Sequence, residues 1–183
     1  MSLNRDEAEN SLRDIHRATR RSFEAYGYKS AAPFLILWGA LWAIGYGITD
    51  LWPEKAGWGW LAVVTFGFTL SAIMGGRAGD GAKPRFSWRI AATAFAVFVF
   101  ISATFAILAP INGVQVGAFI PLLISLVYCI MGIWMGFRFL IAGILVGTLT
   151  IGGYFYLHEH FALWMACVGS ITLIATGLWL RRA

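Results

Sequence analysis

Six uncharged apolar stretches, at about 33–49, 58–75, 90–109, 114–136, 139–157 and 161–180, take up most of the chain. Each is long enough for a helix that crosses a bilayer, which needs roughly 17 to 25 residues. Hydrocarbon offers the backbone no hydrogen-bond partner, so segments of this kind close their own N–H to C=O ladder as helices. The expected fold is an all-α integral membrane protein, a compact bundle of six transmembrane helices preceded by an N-terminal amphipathic helix.

Charge placement orients that bundle. Arg5, Arg13, Arg17, Arg20, Arg21 and Lys29 precede the first stretch. Arg77, Lys83, Arg85 and Arg89 lie between the second and third, Arg138 between the fourth and fifth, and Arg181 and Arg182 after the sixth. If the spans alternate, thirteen of the fourteen basic residues share one side, and Lys55 alone lies opposite, beside Asp50 and Glu54. The positive-inside rule makes the basic side cytoplasmic, with both termini there. The expected setting is a bacterial-type inner (plasma) membrane, crossed several times.

With 183 residues, 59% of them hydrophobic, no room is left for a second domain: a leader at 1–32 and a bundle at 33–183 account for the chain. A pI of about 9.6 in a soluble protein would suggest nucleic acid. Here the cations sit at helix ends, where anionic headgroups are, so nucleic acid is not an expected partner. Cys129 and Cys167 fall inside apolar spans and imply no disulfide or metal framework. The leader carries acids and bases throughout and no apolar h-region, so it does not read as a signal peptide and the first span is expected to stay as an anchor.

The leader has helical periodicity. Ala8, Leu12, Ile15, Thr19, Phe23 and Tyr26 share a face roughly 80° wide at 100° per residue, and Arg13, Arg17, Arg20 and Arg21 form the opposite one. Asn4 with Glu7 fits a capping box, Asp6, Glu7 and Glu9 suit the positive end of the helix dipole, and Gly27 reads as the stop. The arginines can contact lipid headgroups, with the helix lying in the interface. The same surface can dock a soluble cytoplasmic protein.

Within the spans, small residues recur every fourth position: Gly39, Ala43 and Gly47; Gly67, Ser71 and Gly75; Gly132 and Gly136; Gly143 and Gly147; Ala162, Ala166 and Ser170. Such stripes let helices approach closely. They serve packing within one bundle, and a stripe left over can serve a homo-oligomer. Beside the first runs an aromatic stripe of Trp38, Trp42 and Tyr46. Ring packing between helices explains it, and so does an aromatic-walled site for an apolar ligand. Trp42 falls near mid-bilayer, where its indole N–H wants an acceptor such as Thr65, Thr104 or Ser125.

Catalytic apparatus is sparse. No ionisable side chain falls at mid-depth in any span, which disfavours a proton relay or coupled transport. His158, Glu159 and His160, in the outer turn between the last two spans, are the candidate metal ligands, but a complete site needs a further donor. Gly75, Gly76, Gly79 and Gly81 before Lys83 resemble a phosphate loop only in composition, because a membrane helix precedes them and Pro84 follows. Ser125 and Cys129 have no evident general base, and no cofactor is expected. Pro33 and Pro121 open short similar runs, slight evidence for an inverted repeat; Pro121 falls within a span, where it can kink the helix.

Three functions follow from these residues. The first is a non-enzymatic interaction or sensor protein with a cytoplasmic docking leader. The second is a facilitator or binding protein for an apolar small molecule at Trp38, Trp42 and Tyr46, and the third a metal-dependent membrane enzyme using the His158 to His160 turn.

Overall fold

A computed structural model describes residues 5–77, 88–108 and 112–182; the side chains of 5–10, 17, 20, 77 and 88–94 are outside the description. The elements are α1 (Arg5–Leu51), a 3₁₀ turn (Pro53–Lys55), α2 (Ala56–Arg77), α3 (Trp88–Ile107), α4 (Gly113–Met135) and α5 (Phe137–Tyr156). A second 3₁₀ turn (His158–His160) leads into α6 (Phe161–Trp164), a π-helical turn (Met165–Gly169) and α7 (Ser170–Arg181). Among the described residues there is no strand. Five helical segments among the described residues are long and apolar enough to cross a membrane: those within Ser11–Leu51, Pro53–Gly76, Gly113–Met135, Phe137–Tyr156 and His158–Arg181. The described apolar part of α3, Phe95–Ile107, is shorter.

The leader and the first span are one helix. Gly27 does not end it, contrary to the reading from sequence, and α1 runs unbroken for 47 residues, roughly 70 Å at 1.5 Å per residue. Packing accounts for the difference. Gly27 and Tyr28 are buried, and a side chain on Gly27 would start 3.0 Å from the Met135 methyl group of α4. Contacts of this kind offset the roughly 1 kcal/mol that a mid-helix glycine costs. Pro33 also lies inside α1, with its ring exposed.

Two antiparallel pairs, α1 with α7 and α4 with α5, form the centre, and glycines set both. A Cβ on Gly39 would lie 3.0 Å from the Ser170 carbonyl oxygen, and one on Gly177 would lie 2.9 Å from that of Ala32. Between α4 and α5, a Cβ on Gly143 would lie 2.7 Å from the backbone nitrogen of Cys129, and one on Gly132 would run into the backbone of Leu140. The Ser125 hydroxyl crosses the same interface and donates to the Gly143 carbonyl at 2.8 Å. Small residues thus supply the close approach that apolar side chains alone do not drive in lipid. The stripes are used unevenly: Gly47 and Gly75 would meet nothing within 4 Å.

Gly136 separates α4 from α5. Its φ of +124° lies where L side chains are strained, and a Cβ there would collide with the Tyr28 hydroxyl. It therefore makes a break between helices and is not a second rung of the Gly132 stripe. Around the centre, α2 packs on α1, with Gly67 against Leu41 and Trp38, while α3 meets α4 through Phe105 and Phe119, ring centroids 5.3 Å apart.

The last rod owes its alignment to the π-helical turn. At roughly 100° per residue, buried Phe161 and Met165 centre about 100° away from buried Leu173, Gly177 and Leu180, a mismatch of one residue. A π turn holds one residue more than an α turn, so it absorbs that residue and lets both halves face the core. Of the small residues Ala162, Ala166 and Ser170, Ser170 is buried and both alanines are half-buried.

Candidate functional site

The aromatic stripe of α1 lies inside the bundle. Trp42 and Tyr46 are 2% and 3% exposed. Tyr46 is ringed by Trp42 (5.9 Å between centroids), Trp60 of α2 (4.9 Å) and Phe161 of α6 (6.4 Å), all edge to face, the arrangement that aromatic quadrupoles favour. Its hydroxyl donates to the Gly117 carbonyl of α4 at 2.5 Å, and Trp60 Nε1 donates to Thr49 Oγ1 at 3.0 Å. Trp38 departs from this group and packs edge-on against Phe68 of α2 at 5.4 Å. The stripe therefore divides: Tyr46, with Trp42 packed on it, fills the space between α1, α2, α4 and α6, while Trp38 lies against α2. Of the acceptors expected for Trp42, the Ser125 hydroxyl itself donates to the Gly143 carbonyl and the Thr104 hydroxyl to the Phe100 carbonyl of its own helix, each at 2.8 Å.

His158, Glu159 and His160 form one exposed 3₁₀ turn. With three residues per turn, successive side chains diverge by roughly 120°, so the two imidazoles do not share a face. His158 stands edge-on to Tyr154 at 5.3 Å. Among the described residues no three His, Cys, Asp or Glu side chains gather in a metal-binding group.

The leader is exposed from Ser11 through Phe23 at every residue whose side chain is described, including Arg13 and Arg21. The side chains of Arg17 and Arg20 are outside the described set, as is the whole of the Gly79, Gly81 and Lys83 segment. Leu12, Ile15, Phe23 and Tyr26 are 57%, 60%, 56% and 74% exposed. At roughly 100° per residue, the stripe by which α1 enters the bundle (Tyr28, Ala32, Leu35, Gly39, Trp42, Tyr46) centres about 180° from this apolar face. The sequence shows both stripes separately. Only an unbroken helix fixes them on opposite sides.

A further cluster escaped the sequence reading. Arg138, in the first turn of α5, donates from Nη1 to the Trp179 carbonyl of α7 at 3.0 Å. Its guanidinium lies 4.9 Å from the Trp179 ring centroid and 5.5 Å from that of Tyr28, both cation–π distances. The Arg182 backbone N–H shares that carbonyl at 3.3 Å, and the Arg138 backbone N–H donates to the Tyr28 hydroxyl at 3.4 Å. One cation thus ties together α1, α5 and α7. In sequence its partners are 110 and 41 residues away, and only its place in a short turn between two spans singled it out.

No protein-family model, curated protein or solved structure matches the chain, so its function has to be argued from its own residues.

Proposed function

We propose that this is a non-enzymatic inner-membrane protein, both termini cytoplasmic, whose α1 leader docks a soluble protein partner. The observation that carries this reading is the continuity of α1 from Arg5 to Leu51 together with the opposition of its two apolar faces. Tyr28 and Ala32 anchor the helix to the bundle, and from Glu24 to Arg5 it extends roughly 28 Å further at 1.5 Å per residue. An amphipathic helix lying in the headgroup plane would have to turn where it leaves its span. This one continues as helix through Gly27. Its apolar face, being on the far side of α1 from the core, cannot be covered by the bundle and is free to enter a partner's groove with anchors at helical spacing.

Orientation rests on the sequence positions of the basic residues, thirteen of which share one side if the spans alternate, the side that the positive-inside rule makes cytoplasmic. A photo-crosslinking amino acid at position 12, 15 or 23 of the full chain in native membranes tests the docking reading. The expected products are adducts with a soluble protein, absent when the crosslinker is at position 21 on the other face. Adducts with lipid alone would reverse the assignment in favour of an interfacial helix.

A further inference from the structure

At the end of the bundle where α1 enters, the chain gathers like charges. The close approaches of Gly39 to Ser170 and Ile174, and of Gly177 to Ala32 and Ile36, fix the antiparallel register of α1 and α7. Extending it by helical rise brings Lys29 level with Arg182. Arg138 is already there, since it shares the Trp179 carbonyl with the Arg182 backbone. Lys29, Arg181 and Arg182 are exposed, and Arg138 is half-buried. An acid also lies on this end, Glu24, whose carboxyl carbon is 3.3 Å from where a Gly136 side chain would begin.

We infer that Lys29, Arg138, Arg181 and Arg182 form a binding site for the phosphate of an anionic phospholipid headgroup. Four cations from three helices repel one another, and a phosphate among them relieves that repulsion. Arg138 is suited to the role because it is held in place: the Trp179 carbonyl takes one N–H, the two rings fix the guanidinium plane, and four donors of the planar fork are left. The depth agrees. Trp179, half-way out of the bundle, marks the aromatic belt, and basic pockets between spanning helices at that level select acidic headgroups.

A lipid fits better than a free phosphate because an apolar track continues from the cations. On α7, exposed Ile171, Ala175 and Leu178 follow one another at helical spacing on the side of Arg182, and an acyl chain can cover them. Inorganic phosphate has nothing to place there. The inference requires that the bundle sits in a membrane, but it uses no residue of the leader's apolar face. It therefore stands or falls separately from the docking reading.

The test is native mass spectrometry of the full-length protein, delipidated in detergent and titrated with phosphatidylglycerol or phosphatidylcholine of matched chains. A third titration uses inorganic phosphate. The expected result is at least a tenfold preference for phosphatidylglycerol, falling about fivefold for each cation removed. Arg181→Gln with Arg182→Gln tests exposed positions that the fold does not need. Arg138→Gln tests the pinned cation, with circular dichroism and elution volume checking its fold. Equal retention of the two lipids, or an unchanged preference in the Arg181→Gln, Arg182→Gln protein, overturns the inference. Displacement of the lipid by millimolar phosphate, with the same dependence on these residues, identifies a free-anion site and overturns the lipid assignment.

Discussion

Replacing Gly143 by alanine should separate α4 from α5, and the size of the effect can be worked from three distances. The added Cβ would lie 2.7 Å from both the backbone nitrogen and the sulfur of Cys129, and 2.8 Å from the Ser125 carbonyl oxygen. Heavy atoms in van der Waals contact sit at about 3.5 to 4.0 Å. The helices must therefore part by roughly 0.8 Å, because two of the obstructing atoms are backbone and cannot rotate away. Overpacking of this kind costs about 1 to 3 kcal/mol. The Ser125 to Gly143 hydrogen bond, 2.8 Å long, stretches as the helices part, a loss of about 1 kcal/mol. Alanine's helix propensity returns up to ~1 kcal/mol, leaving a net destabilisation of about 1 to 3 kcal/mol. Gly152, on the same helix, would meet nothing within 4 Å, so Gly152→Ala isolates the propensity effect and should be neutral or slightly stabilising. Unfolding of the purified protein by sodium dodecyl sulfate in mixed micelles, followed by circular dichroism, measures both variants. If Gly143→Ala unfolds at the same detergent fraction as Gly152→Ala, α4 and α5 are not in contact at this glycine and the packing argument is wrong.

Tyr46→Phe keeps the aromatic packing but removes the hydroxyl bonded to Gly117, so it should cost about 1 kcal/mol in the same assay; no change would mean that the bond contributes nothing. Spin labels at Ser11 and Ser30, in a protein with Cys129 and Cys167 replaced, should show one distance near 28 Å by double electron–electron resonance, the length of nineteen helical steps. A broad or much shorter distribution would place a break in α1. Single cysteines at positions 11 and 182 should react with an impermeant maleimide only after the membrane is opened, whereas one at position 160 should react in intact cells. Reaction of 11 and 182 from opposite sides would refute the proposed topology.

Hydropathy made the helices legible, because a backbone with no outside partner has few choices and the apolar runs were long. Five of the six expected spans fall on helical segments long and apolar enough to cross a membrane, α1 being extended at its start by the leader, while the described apolar part of the third, Phe95–Ile107, is shorter. Local signals failed where a distant contact decided the outcome. Gly27 reads as a stop until Met135, 108 residues later in the chain, is found beside it. The spacing of Trp38, Trp42 and Tyr46 gave a stripe, but Trp38 turns to α2 while Tyr46 reaches α4, and nothing in a four-residue period encodes that division. Arg138 looked like one more cation at a helix end; its link to Trp179 exists only once α5 and α7 are neighbours. The π-helical turn did leave a trace, a phase shift between the buried sets on either side of Met165–Gly169. Only burial shows it, because apolar residues surround the whole rod.

That turn makes one stretch of the last rod tolerant of a change in length. Elsewhere along a buried helix, losing a single residue swings everything beyond it through about 100° and turns a core face outward. Between Met165 and Gly169 the opposite holds: removing one residue leaves an ordinary α turn with Phe161 and Leu173 still on the same side. Deletion of Cys167, whose side chain is exposed, should give a protein that inserts and folds, while deletion of Ile171, two residues past the turn, should not. Chains related to this one can accordingly differ by one residue here without differing in architecture, and an alignment gap at this point would mark a wide turn tightened, not a helix lost.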